Sequence, residues 1–351
     1  MLTADQRGAR KAIVMGNSSQ SDAVLVGGGR FQYEAVAGWA QLPAGWSFVE
    51  ATAVAVDSQD RVYVFNRGEH PVIVFDRDGK FLHAWGEGLF SRPHGISTGP
   101  DDMLYLTDDA DHTVKKFTPE GKLLLTLGTS GQPSDSGIEN VDYRTIKQGG
   151  GPFNLPTNSA LAADGTLFLS DGYGNAQVHK FSPDGKLLLS WGEPGSGPGQ
   201  FNLPHGVAVD RTGRVIVADR ENSRLQLFTP EGEFIEEWTD VARPTEMFVD
   251  AEDNVFVAEV GWRAGMFPWM EPDPARTGGR VSVFNRQGEL QARWGGGDDP
   301  YSPGDFFAPH GIWLDSQGSV YVAEVTWSAG GKKGIVASDC PSLRKFVRNG
   351  S

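Results

Sequence analysis

Residues 205–238 read HGVAVDRTGRVIVADRENSRLQLFTPEGEFIEEW. Two short apolar runs, VAV and VIVA, flank the polar turn DRTGR, and a second pair, LQLF and FIEEW, flanks TPEG. Short apolar runs cut by Gly, Pro and Asp turns read as antiparallel strands, because no run is long enough for a helix. The segment therefore encodes four short strands, and the same pattern recurs along the chain. Its innermost hairpin appears as TAVAVDSQDRVYVFN from Thr52, HGISTGPDDMLYLTD from His94, TNSALAADGTLFLSD from Thr157, TEMFVDAEDNVFVAE from Thr245 and HGIWLDSQGSVYVAE from His310. Most copies continue into a V-x-x-F strand and a G-K-x-L-x-x-W-G strand, as in VIVFDRDGKFLHAWG and AQVHKFSPDGKLLLSWG. Six copies of a four-stranded unit predict an all-β, six-bladed β-propeller.

The sixth copy stops after its third strand, SLRKFVRNG. Residues 31–40, FQYEAVAGWA, have the pattern of a displaced outer strand ending in Gly-Trp. This N-terminal strand is expected to complete the last blade, which removes an open sheet edge. Residues 1–28 are expected to form an arm outside a single propeller domain spanning 29–351.

Composition narrows the function. The chain has 351 residues and a formal net charge of −14. That charge argues against nucleic-acid phosphates and anionic membranes, which require clustered Lys and Arg. The single cysteine, Cys340, excludes an intrachain disulfide. The N-terminus, MLTADQRGARKAIVMGNSS, lacks the apolar run of a signal peptide, and no stretch approaches a membrane span. A cytoplasmic protein acting on a small molecule is the expectation. Every long insertion (129–152, 193–202, 261–280, 295–307, 326–341) falls at the same end of the blades. Long loops gathered on one face of a rigid frame mark where function sits.

The residue that opens each innermost strand alternates around the ring: Thr52, His94, Thr157, His205, Thr245, His310, with each His in the string P-H-G. Alternate blades of six lie about 120° apart. The imidazoles of His94, His205 and His310 can thus converge on the axis. Three neutral imidazoles with an open fourth position form the ligand set of a catalytic zinc, and suit other divalent transition metals as well. The remaining histidines lie elsewhere. His83 and His179 fall in outer strands and are expected at the surface, and His112 lies in a loop of the functional face. The acids and amide that end the second strands (Asn66, Asp108, Asp171, Asp219, Glu259, Glu324) recur in every blade, so they are expected to brace loops by accepting backbone N–H groups. Trp262, Phe267, Trp269 and Trp327 lie in the long loops and could form an apolar lid over a substrate.

These strings resemble the NHL-repeat propellers, and among them the peptidyl-α-hydroxyglycine α-amidating lyases, over roughly residues 50–350. The resemblance implies zinc held by His94, His205 and His310. FNRGEH matches the family's R-G-[DE]-H string and implies a catalytic Arg67. SDGYGN matches S-D-G-Y and implies Tyr173, and VADREN matches A-D-R-E-N and implies Arg220. Three positions depart from the family. Gly311 replaces an Asp that helps bind a structural calcium on the axis, Ala308 replaces a substrate-contacting Met, and Gly174 replaces a disulfide Cys.

A metal on three His lowers the pKa of a bound hydroxyl or polarises a carbonyl. A tyrosine serves as general base where neighbouring positive charge favours its ionised form. Arg67 or Arg220 can grip a substrate carboxylate through two parallel hydrogen bonds. The set suits collapse of N–CH(OH)–R into an amide and an aldehyde. It also suits metal-dependent hydrolysis or hydration of an amide, lactone or nitrile. An interaction platform without catalysis is a third reading, which the histidine alternation disfavours.

Overall fold

The computed structural model describes residues 23–263, 266 and 278–349. It forms six antiparallel sheets arranged as blades, five of four strands and the last of five, joined edge-inward by their innermost strands. Blade four shows the unit. Pro204–Val209 lies innermost, followed outward by Val215–Asp219, Arg224–Phe228 and Phe234–Trp238. The inner strands bury both faces, because each sheet packs against a blade on either side. Exposure rises in the outermost strands, such as Leu187–Trp191, where Leu187 and Leu188 reach the surface.

Between neighbouring blades sit separate apolar cores. One joins Phe65, Val74, Ile96 and Phe117 of blades one and two, and another joins Phe256, Val283, Ile312 and Phe346 of blades five and six. The G-K-x-L-x-x-W-G repeat has a packing reason. Three of the outer-strand Trp residues lie on the turn glycine of the next blade, where a Cβ would meet the indole: Trp85 on Gly121 at 2.7 Å, Trp191 on Gly232 at 3.0 Å and Trp238 on Gly288 at 2.6 Å. These glycines also have φ near +80° to +87°, which a side chain resists.

The ring closes as expected. Phe31–Val36 pairs antiparallel with Leu343–Arg348, with Tyr33 opposite Arg348 and Val36 opposite Lys345. Phe31 and Tyr33 are buried in the core between blades five and six. Trp39 continues inward beside Phe75 and Tyr321, tying blade six to blade one. The expected arm boundary at residue 28 differs from the structure. Leu25–Gly28 is itself a strand, paired with Phe31–Val36 as a fifth, outermost strand of the last blade. A tight turn at Gly29-Arg30, with Gly29 at φ +56°, allows this hairpin. No helix among the described residues is long and apolar enough to cross a membrane.

Candidate active site

His94, His205 and His310 occupy the second position of the strands Pro93–Thr98, Pro204–Val209 and Pro309–Leu314. Their rings meet at the axis, with centroids 5.0, 4.7 and 4.6 Å apart. One ligand nitrogen from each lies within 4.8 Å of the others. The intervening threonines explain the alternation. Each imidazole Nδ1 lies against the carbonyl of the Thr on the next blade: His94 on Thr157 at 2.7 Å, His205 on Thr245 at 2.8 Å and His310 on Thr52 at 2.7 Å. A carbonyl only accepts, so each Nδ1 carries the proton and each Nε2 lone pair is left facing the axis. Metal-ligating imidazoles are commonly fixed by such a partner.

The P-H-G glycine follows from the same geometry. A Cβ on Gly206 would lie 2.5 Å from the Thr245 carbonyl oxygen and one on Gly95 2.6 Å from that of Thr157. On Gly311 it would lie 2.7 Å from Ala53 Cα. Only glycine lets the orienting carbonyl approach. The residues present fit a divalent ion: the three side chains are buried, and His94 Nε2 has no partner among the described residues. Burial, reinforced by neighbouring positive charge, holds all three well below the usual histidine range, His310 at about 3. They are neutral donors at physiological pH.

Above the histidines opens a cavity of about 310 Å³. Five of its wall residues share one position, directly after the second strand of their blade: Arg67, Asp109 and Arg220 in blades one, two and four, and Val260 and Val325 in blades five and six. In blade three Gly172 takes that position and Tyr173, one residue on, lines the cavity, while Met266 and Ala329 extend the apolar side. The cavity is thus half charged and half apolar. Tyr173 Oη lies 3.1 Å from His205 Nε2 and accepts from Arg220 Nη1 at 3.2 Å. Arg220 Nε donates to Glu221 at 2.8 Å. Arg67 donates from Nε to the Pro93 carbonyl at 2.9 Å, beside His94, and from Nη1 to Glu50 at 2.7 Å. The two arginines therefore pair with acids, though not with the acids that end the second strands.

Those acids and Asn66 brace loops. Asn66 accepts from the Glu50 N–H, Asp108 from Ser91 and Arg92, and Asp171 from Asn154. Asp219 accepts from Asn202, Glu259 from Ala242, and Glu324 from Phe307 and Ala308.

Other placements differ from expectation. His179 is buried rather than at the surface, with Nδ1 2.8 Å from Ser190 Oγ and Nε2 3.2 Å from Asp171. Its strand, Gln177–Phe181, is the third of the blade and is flanked on both sides, and Phe153 packs edge-on against the ring at 5.5 Å. His83 is half-buried. His112 accepts the Leu155 N–H at 3.0 Å and so supports one cavity wall. Neither Trp262 nor Trp327 lines the cavity. Trp262 lies beneath the Arg243 guanidinium, and Trp327 stands over Gly331 and is partly exposed. Phe267 and Trp269 lie outside the described residues. Two features carry no repeat signal. The short helix Thr326–Ala329 is tied down where Glu50 accepts the Ser328 N–H, across 278 residues of sequence. Arg92, in the loop leading into blade two, lies on the cavity wall.

The sequence comparisons agree with this architecture. The NHL repeat family model matches residues 201–228, within blade four. The mouse peptidyl-glycine alpha-amidating monooxygenase is 31% identical over 312 residues, covering 78% of this chain and 29% of that protein. The fruit-fly peptidyl-alpha-hydroxyglycine alpha-amidating lyase 1 is 37% identical over 162 residues, covering 43% of this chain and 27% of that one. The chain thus spans under a third of the length of either relative. Among solved structures, a gluconolactonase from Xanthomonas campestris superposes with a TM-score of 0.59 at 13% identity over 91% of each chain, which is a likeness of fold. The chain is an NHL-repeat β-propeller similar in sequence to the peptidyl-α-hydroxyglycine α-amidating lyases.

Proposed function

We propose that this chain is a metal-dependent lyase that cleaves the C–N bond of a small α-hydroxylated amide, R–CO–NH–CH(OH)–COO⁻, into the amide R–CO–NH₂ and the aldehyde OHC–COO⁻. The observation that carries the reading is the position of the Tyr173 hydroxyl, which bridges His205 Nε2 and Arg220 at the cavity floor. A divalent ion held by His94, His205 and His310, zinc being the usual choice of such a set, would supply positive charge beside a substrate oxygen. Tyr173 takes the proton of the substrate hydroxyl. The O–H electrons form the aldehyde C=O as the C–N bond breaks, and the proton passes to the departing amide nitrogen. Atoms balance without a co-reactant. Arg220 donates to the same tyrosine oxygen, so negative charge developing there meets a counter-charge already in place. Arg67, tied to Glu50 and the Pro93 carbonyl, holds a second positive charge on the opposite wall.

The test is incubation of zinc-loaded protein with N-acetyl-α-hydroxyglycine, following acetamide and glyoxylate. Equimolar release of both above the uncatalysed rate is the expected result. Hydrolysis of N-acetylglycine to acetate and glycine, with no acceleration on the hydroxylated compound, assigns the pocket to hydrolysis instead. No turnover of either compound by metal-loaded protein contradicts the enzymatic reading.

A further inference from the structure

Three arginines border the cavity, and each is paired with a buried acid: Arg67 with Glu50, Arg92 with Asp109 and Arg220 with Glu221. They differ in what is left over. Arg67 spends Nε on the Pro93 carbonyl and Nη1 on Glu50. Arg220 spends Nε on Glu221 and Nη1 on Tyr173. Arg92 spends only Nε, on Asp109 Oδ1 at 2.6 Å. Among the described residues neither of its terminal nitrogens has a hydrogen-bond partner. A guanidinium grips a carboxylate best through two parallel N–H groups, and a terminal nitrogen already engaged is unavailable for that fork. Asp109 is wholly buried, so it fixes the Arg92 Nε edge, while the terminal edge stays accessible with the side chain 44% exposed.

We propose that Arg92 is the specificity-determining anchor for the carboxylate of the substrate, with Asp109 as its positioning residue. The proposal deepens the lyase reading and rests on it for the substrate class. It gives the three arginines separate work: Arg220 on the tyrosine, Arg67 at the histidine wall and Arg92 on the anion. It also accounts for a charged pair that the proton-transfer step does not use. Lysine at this position keeps the charge and loses the fork.

The experiment separates this proposal from the lyase reading by measuring binding without turnover. N-acetylglycine and its uncharged counterpart N-acetylglycinamide are titrated calorimetrically into zinc-loaded protein. The wild type is expected to prefer the carboxylate by about tenfold or more, the scale of a charge-assisted pair. Arg92→Met should abolish that preference, Arg92→Lys should retain a small part of it, and Asp109→Asn should weaken it. Arg67→Met should leave most of it in place. With N-acetyl-α-hydroxyglycine, Arg92→Met should raise KM far more than it lowers kcat. Arg92→Met also takes the partner from buried Asp109, so a melting curve checks that the fold survives, and Arg92→Lys, which keeps a cation beside Asp109, separates loss of the fork from loss of the fold. Absence of any preference in the wild type, or its survival in Arg92→Met with loss in Arg67→Met, overturns the proposal. A preference that follows Arg92 in a protein that turns over no hydroxylated substrate upholds the anchor and removes the lyase reading.

Discussion

Glu246 follows Thr245 on an inner strand and faces the axis one layer below the histidines, with Oε2 near Gly311. Its carboxyl is buried, touching Asn158 and the backbone at Ile312, and burial pushes it from 4.5 up to about 8. The native protein therefore holds a proton there that the unfolded chain releases at lower pH. The associated stability is complete below about 4.5, declines as pH rises, and is fully lost above about 8. Glu246→Gln keeps the shape and removes the titration. The gap between the two values, at 1.36 kcal/mol per unit, sets a gain of up to about 5 kcal/mol for the variant at pH 9, against little difference at pH 4.5. Urea denaturation of both proteins at pH 4.5, 7 and 9 measures this directly, because effects of other titrating groups cancel in the difference. A difference independent of pH, or a wild type more stable than the variant at pH 9, refutes the reasoning by showing an ionised, well-partnered carboxylate.

Tyr173→Phe removes only the hydroxyl, so the variant should keep its metal and its melting temperature while kcat on N-acetyl-α-hydroxyglycine falls by about 10²–10⁴, the scale of general acid–base catalysis; a near-normal kcat removes Tyr173 from the chemistry. Gly206→Ala should push the Thr245 carbonyl off His205 and weaken zinc affinity by about 10–100-fold, as loss of an orienting partner does; competition with a chromophoric chelator reads the change, and unchanged affinity would show that the carbonyl contact is dispensable. Phe31→Ala should cost about 3–5 kcal/mol, since the ring is 1% exposed and packs edge-on to Phe256 at 5.8 Å. A loss below about 1 kcal/mol in denaturant titration would mean that the N-terminal strand adds little to the ring.

Much of this site is legible in the sequence because the repeat converts position in the chain into position around an axis. The alternation of Thr and His names both the imidazoles and, as the structure shows, the carbonyls that orient them. The same alignment places Arg67, Asp109 and Arg220 at equivalent rim positions, so Asp109 carried a signal that motif matching passed over. Arg92 and Glu50 carried none, since both lie in loops between blades, where the repeat lapses. The link from Glu50 to Ser328 joins opposite ends of the chain. The burial of His179 is not legible in the repeat, because it depends on Phe153, which packs on the ring from the loop before blade three, and such cover is a tertiary property.

The claim on which the rest depends is that His94, His205 and His310 hold one divalent ion on the axis. Elemental analysis of the purified protein, alongside a folded His205→Ala variant, tests it. The account predicts about one transition-metal ion per wild-type chain and near-complete loss in the variant, since two remaining imidazoles leave the set incomplete. A metal-free wild type after zinc loading, or full occupancy in His205→Ala, contradicts it.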